Sequence, residues 1–202
     1  MARTQSADQS TLLIRMAVAT LKSTSPYSQG KHVASKRGDT EPADVFEDRT
    51  WRERMHVNKD GRIFIPPMAF KNSLAEAAKF LSLSVPGKGK ATFTKHFEAG
   101  IMTSDPLVLP ILAKDVQGET LFVPADGRRG SGSRVNRTFP LIPEWEGKVT
   151  FIIFDSTITP DIFLRHLRAA GTFIGIGRFR PRNNGFYGRY QVLGVEWSDV
   201  SE

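Results

Sequence analysis

The stretch Gly175-Ile176-Gly177-Arg178-Phe179-Arg180-Pro181-Arg182-Asn183-Asn184-Gly185-Phe186-Tyr187-Gly188-Arg189 holds the residue types that binding a nucleic-acid strand demands. Glycines such as Gly175 and Gly177 let backbone amides come close to a phosphate, and Arg178, Arg180, Arg182 and Arg189 can neutralise it through paired hydrogen bonds. Phe179, Phe186 and Tyr187 offer faces on which bases stack, each worth about 1–3 kcal/mol. Arg165 and Arg168 lie just upstream, and no acidic residue occurs between Arg165 and Arg189. A second stretch, Asp126 to Arg137, carries Arg128, Arg129, Arg134 and Arg137 among Gly127, Gly130 and Gly132, and reads as a flexible loop or hairpin tip. The same composition in the first stretch also fits a β-hairpin with its aromatics in the core and its arginines solvated.

Other chemistries fit poorly. Gly130-Ser131-Gly132-Ser133 lacks the spacing and the strand-to-helix setting of a nucleophile elbow. Gly89-Lys90 is followed by Ala91 and has Ser84 where a phosphate-binding loop needs its first glycine. His32, His56, His96 and His166 stand at least 24 residues apart, so no element carries two metal ligands, and neither metal nor cofactor is expected. Asp44, Glu47 and Asp48 lie beside Arg49, Arg52 and Arg54, where a carboxylate could serve as general base or hold Mg2+ against a phosphate. Mixed-sign runs of this kind are more often self-paired and solvent-facing.

Composition narrows the field. The chain has 202 residues, 28 Lys+Arg against 21 Asp+Glu and a net charge of +7, so an anionic partner is expected. Forty per cent hydrophobic content with 14 Phe, 3 Tyr and 3 Trp suffices for one core. The absence of cysteine excludes disulfides, thiolate metal sites and a thiol nucleophile. No apolar run nears the roughly 20 residues a membrane helix needs, and Met1 to Ser10 lacks a signal-peptide core; a cytoplasmic location is expected.

The elements that must hold these loops can be read from periodicity. Leu12 to Leu21 alternates as a strand, with Leu12, Ile14, Met16 and Val18 on one face. Residues 23–60 form a long polar excursion anchored by Phe46 and Trp51. Arg62 to Ile65 reads as a strand, and Phe70, Leu74, Ala77, Ala78 and Leu81 mark a helix with Lys71, Glu76 and Lys79 outward. Thr92 to Met102 reads as strand-like, and Leu107 to Ala113 with Thr120 to Val123 as a hairpin turning at Gly118. Val149 to Phe154 is a strand, and Thr159-Pro160 opens a helix that Gly171 stops. Thr172 to Ile176 and Tyr190 to Trp197 complete the strands. Two strand–helix–strand passes make an α+β fold, a ferredoxin-like or RNA-recognition-motif-like sheet with insertions.

The Gly-hydrophobic-Gly start of the loop, its arginines and its Gly185-Phe186-Tyr187-Gly188 end resemble the C-terminal glycine-rich loop of the RAMP superfamily of CRISPR effector proteins. The segment Phe64-Ile65-Pro66-Pro67-Met68-Ala69-Phe70-Lys71-Asn72-Ser73-Leu74 is similar to the Ile-Pro-to-helix segment of the seventh Cas family, the backbone subunits of such complexes. The resemblance implies one domain over residues 1–202: a modified ferredoxin-like palm, a fingers-like insertion at 23–60, a thumb-like insertion at 113–148 and the glycine-rich loop at 175–189. It further implies a non-catalytic, sequence-independent subunit that forms a filament on single-stranded guide RNA, meeting a complementary target strand and other effector subunits. Lys71 and the loop's Arg178, Arg180 and Arg182 would then touch the RNA backbone. Ser25 to Gly30 replaces the short glycine-containing turn usual after the first strand. Two other readings use the same residues: a phage or mobile-element protein coating single-stranded DNA, and a metal-dependent endoribonuclease acting through Asp39, Asp44 or Asp48.

Overall fold

The computed structural model describes residues 14–125, 130 and 132–199. In chain order the elements are β1 (Arg15–Ser23), β2 (Tyr27–Ser28), α1 (Ala43–Thr50) with a 3-10 turn over Trp51–Arg54, β3 (Arg62–Ile65), α2 (Pro67–Leu81), α3 (Thr94–Ala99), β4 (Ile101–Thr103), β5 (Leu107–Leu112), β6 (Gln117–Pro124), β7 (Arg134–Ile142), β8 (Glu146–Ile153), α4 (Pro160–Ala169) with a π-helical turn over Ala170–Ile174, and β9 (Tyr190–Asp199). The architecture mixes helices with antiparallel sheets. The largest sheet has the order β4-β8-β1-β9, a second has β2-β7-β6, and β3 pairs with β5.

The core lies between the four-stranded sheet and its helices. Ala17 and Ala19, fully buried on β1, are small enough to let helices approach the sheet closely, and Leu21 continues the row. Phe70, Leu74, Ala77 and Ala78 form the buried stripe of α2, at the helical spacing read from sequence. From α4, Phe163 meets Phe151 of β8 edge-on at 5.2 Å and Trp197 of β9 at 5.8 Å. Each such large apolar side chain contributes about 1.5–3 kcal/mol on burial. Pro67 opens α2 and Thr159 caps α4, its hydroxyl accepting from the Ile162 amide.

Several expectations are corrected. On β1 the alternation holds, but the fully buried face is that of Ala17, Ala19 and Leu21, while Ile14, Met16 and Val18 are half-exposed on the other; Leu12 lies outside the described residues. Thr92 to Met102 is mostly helical, because Phe93 and Phe97 sit four apart and both pack on His166. Leu107–Leu112 does not pair with Gln117–Pro124; β5 joins β3, and β6 pairs instead with β7. Gly118 is inside β6, where a Cβ would stand 2.6 Å from Thr138 and 3.3 Å from the Trp51 ring. Thr172 to Ile176 is not a strand. The helix runs through Gly171, whose missing side chain makes room for the Tyr190 backbone, and it unwinds as a π turn ending at Gly175.

The open face of the main sheet is aliphatic and self-neutralised. Register places Met16, Ile152 and Met102 in one row. At the other end, Lys148 pairs with Glu196 at 2.9 Å and Lys22 with Glu146 at 3.3 Å. An RNA-recognition motif stacks bases on aromatic rings of its open sheet face; none of these positions carries one. The site must be sought on the loops.

Candidate nucleic-acid interface

The glycine-rich loop is clamped to the turn between β1 and β2. The Arg178 amide donates to Ser28 O (2.9 Å), the Gly188 amide to Pro26 O (2.7 Å), the Arg189 amide to Ser25 Oγ (2.9 Å) and the Thr24 amide to Arg189 O (2.9 Å). Within the loop, the Ile176 amide donates to Gly188 O and the Tyr187 amide to Phe179 O. Gly177 (φ 72°) and Gly188 (φ 76°) have backbone that other residues rarely adopt. A side chain there would also collide, at Gly177 with Tyr27 and Ser28, at Gly188 with Ile176. These two glycines therefore serve the loop's own packing. Ser25 to Ser28 is the surface on which the loop is seated.

The clamp aims Arg178 into a groove. Its guanidinium lies 3.3 Å from the centroid of the buried Phe139 ring and 4.5 Å from that of Phe179. It stands between two adjoining hollows, of about 580 and 430 Å³, that share Gly30, Lys31 and Arg178 among their lining residues. The larger is lined also by His32, Arg37, Phe46, Glu47, Arg54, Asn136 and Arg137. The smaller runs past Gln29, His56, Met68, Asn72, Gly177 and Arg180. Lys31, Arg37, Arg54, Arg137, Arg178 and Arg180 thus line two hollows that meet at Arg178, with Glu47 the sole carboxylate among the lining residues. Burial, reinforced by the neighbouring Arg54 and Arg137, pushes the Arg178 guanidinium down to about 10. Burial and Lys31 lower His56, favouring its neutral imidazole.

The remaining loop residues are tethered differently. Arg180 pairs with Glu76 of α2 at 2.8 Å, and Arg182 approaches the same carboxylate at 3.7 Å. Arg189 donates to Thr172 O and Phe186 O, bracing the loop. Tyr187 donates to Glu119 of β6 at 2.5 Å, joining the loop to the second sheet, and Phe179 stacks edge-on against both Phe139 and Tyr187. Phe186 is exposed. Arg134 lies over the exposed Phe122 ring, beside a hollow that Phe179 also lines. Both Arg134 and Arg137 belong to β7; Arg128 and Arg129 lie outside the described residues. Arg165 and Arg168 are exposed on α4 and line neither part of the groove. Lys71 turns to α3, donating to Glu98 O at 2.7 Å, and is likewise absent from the groove lining.

Sequence reasoning missed Lys31, Arg37, Arg54 and His56. All four belong to the mixed-sign segment read as solvated, and only its tertiary docking reveals them. That segment pairs its own charges as expected at Glu41–Arg49 (2.6 Å), but Glu47 and Arg54 are buried, 3.0 Å apart, and Glu47 also accepts from the Thr138 amide of β7 at 2.8 Å. Asp39, Asp44 and Asp48 are exposed and line neither hollow. Among the described residues, no group of three or more His, Asp or Glu is placed to hold a metal ion, and no helix is long and apolar enough to cross a membrane.

All three tyrosines, Tyr27, Tyr187 and Tyr190, resist ionisation, chiefly through burial, with Tyr187 pushed up to about 12 also by Glu119. An unfolded chain ionises near pH 10. Each folded-state value is raised, so this stabilisation is complete below pH 10 and is lost as pH climbs towards 12 and beyond. Absorbance at 295 nm is expected to show no tyrosinate in the native protein at pH 10.5 and an abrupt rise on adding denaturant at that pH.

No protein-family model matches the chain, and no curated protein matches it. Solved structures do. A chain of the Type III-B Cmr-beta complex bound to cognate target RNA aligns with a TM-score of 0.51 and 8% identity over 95% of this chain and 63% of that one. Cmr6 from Pyrococcus furiosus aligns with a TM-score of 0.44 and 12% identity, over 89% of this chain and 98% of its own. A chain of a CRISPR RNA-guided surveillance complex aligns with a TM-score of 0.41 and 12% identity, over 90% and 67%. The first of these is a likeness of fold, and the present chain spans under two thirds of its length.

Proposed function

We propose that this protein binds a single nucleic-acid strand, foremost guide RNA, in the groove around Arg178, as a non-catalytic subunit of a CRISPR-type effector complex. The observation that carries the reading is that Lys31, Arg37, Arg54, Arg137, Arg178 and Arg180 line two adjoining hollows that meet at Arg178. Side chains of this kind neutralise phosphates without reading base edges, so binding is sequence-independent. The fold likeness to a chain from an RNA-bound complex supports the same reading.

The finer architecture follows the same proposal. The order β1-α2-β4-β8-α4-β9 with strands arranged β4-β8-β1-β9 supports a ferredoxin-like palm. Residues 23–60 act as the fingers-like insertion and 113–148 as the thumb-like one, and copies assemble side by side along the strand with other effector subunits. Protein purified at low salt is expected to carry RNase-sensitive, DNase-resistant material of uniform length. With about 4–6 phosphates neutralised per subunit, log affinity should fall against log salt with a slope of roughly −3 to −4. DNase-sensitive material would shift the assignment to a single-stranded-DNA coat. Mg2+-dependent cleavage of bound RNA would make the protein an endoribonuclease. Clean protein that shifts neither strand would overturn the reading.

A further inference from the structure

The larger hollow contains a charge arrangement that strand binding in general does not require. Arg54 and Arg178 both lie against the Phe139 ring, with guanidinium carbons 5.2 and 3.3 Å from its centroid. Arg137, on β7, lines the same hollow, its guanidinium anchored on Ala125 O at 2.7 Å. Arg54 is 7% exposed. Its Nη1 and the Nε of Arg178 are buried and lack a hydrogen-bond partner among the described residues. Glu47 offsets one of the three charges and spends its oxygens on Arg54 and the Thr138 amide. Three guanidiniums around one half-buried hollow with a single carboxylate between them raise the free energy of the empty protein and fit an anion that brings the missing charge.

We propose that the hollow between α1, β7 and the glycine-rich loop is a discrete phosphate-binding pocket, with Arg54, Arg137 and Arg178 as its ligands, that takes the phosphate group without needing base or sugar. This rests on the strand-binding reading and assigns one phosphate of the strand to one place. Planar guanidiniums suit a tetrahedral oxyanion, offering two parallel donors each. Lys31 and Arg37 at the rim extend the positive field outward.

The test uses the full chain and inorganic phosphate against chloride at matched ionic strength. Phosphate at roughly five times its dissociation constant should raise the Tm by about 2–4 °C. In Arg178→Met the shift should vanish, while the variant's own Tm in chloride stays equal or rises because a desolvated like charge is gone. Arg137→Gln, on β7 rather than on the loop, should also lose the shift and serves if Arg178→Met fails to fold. Inorganic phosphate and a nucleoside monophosphate should displace a labelled oligonucleotide at concentrations within threefold of each other. A monophosphate more than tenfold better would mean that base or sugar is recognised, which overturns a phosphate-only pocket. A persisting Tm shift in either variant overturns it too. If oligonucleotides bind but phosphate neither shifts the Tm nor competes, the pocket is wrong and strand binding stands. If phosphate acts as described but no strand binds, the pocket stands and the strand reading falls.

Discussion

Replacing Arg137 and Arg178 together by glutamine is expected to weaken binding of single-stranded RNA by about 100-fold or more, since each charged hydrogen-bonded contact is worth about 1.5–3 kcal/mol. The loss should be equal for oligonucleotides of unrelated sequence, because phosphates carry no sequence information. Since both side chains serve one phosphate, its loss should also flatten the salt dependence by roughly 0.7 in slope. Arg180 and Arg182 supply the contrast. Both are held by Glu76, at 2.8 and 3.7 Å, so a phosphate reaching them must displace a carboxylate. Their joint replacement by glutamine should weaken binding by about tenfold or less. Fluorescence anisotropy over a salt series measures all of this with one labelled oligonucleotide. The reverse ranking would place the strand on the α2 side of Arg178 rather than the α1 side, and the groove assignment would fail.

That contrast shows where the sequence was informative and where it stopped. The glycine-rich loop was found because its residue types are unusual as a set, and composition is a local property. Which arginine does what is not legible, since Arg178, Arg180 and Arg182 alternate within five residues, yet the first meets a buried aromatic ring and the other two an α2 carboxylate. Gly177 and Gly188 illustrate the same limit: the motif shows that glycine is needed but not that Tyr27 and Ile176 stand where a side chain would go. Long amphipathic helices were read well, α2 from its apolar stripe and α4 from Thr159-Pro160, because helical period and caps act within a few residues. Strand partners were not. Whether β5 joins β3 or β6 depends on contacts across the fold, and Gly118 looked like a turn residue because a sequence cannot show Trp51 resting on it.

The groove's cations were hidden for a further reason. Between Lys31 and Arg54 positive and negative residues alternate, the usual mark of a solvated surface. Glu47 breaks that pattern. By binding Arg54 and the Thr138 amide it fixes α1 on β7, and it thereby turns Lys31, Arg37 and Arg54 from surface charges into groove walls. A polar side chain can dictate tertiary position only when it is buried, and burial is what a mixed-charge segment conceals.

Glu47→Ala should therefore have a large effect on stability. It leaves Arg54 buried beside Arg178 with no counter-charge and the Thr138 amide without its acceptor, a change that costs about 3–5 kcal/mol. For a chain of this size that corresponds to a Tm lower by roughly 10 °C, read by calorimetry. The paired substitution Glu47→Leu with Arg54→Met removes both charges and should recover the part of that loss due to the unpaired Arg54, since an apolar pair of similar volume is about as stable as a buried ion pair, while the Thr138 amide stays without its acceptor. Binding should not recover with it, because one groove cation is gone. Stability and affinity then part in the double variant and fall together in the single one. A single variant that keeps its Tm would mean that Glu47 does not hold α1 in place, and that the groove owes its shape to some other contact.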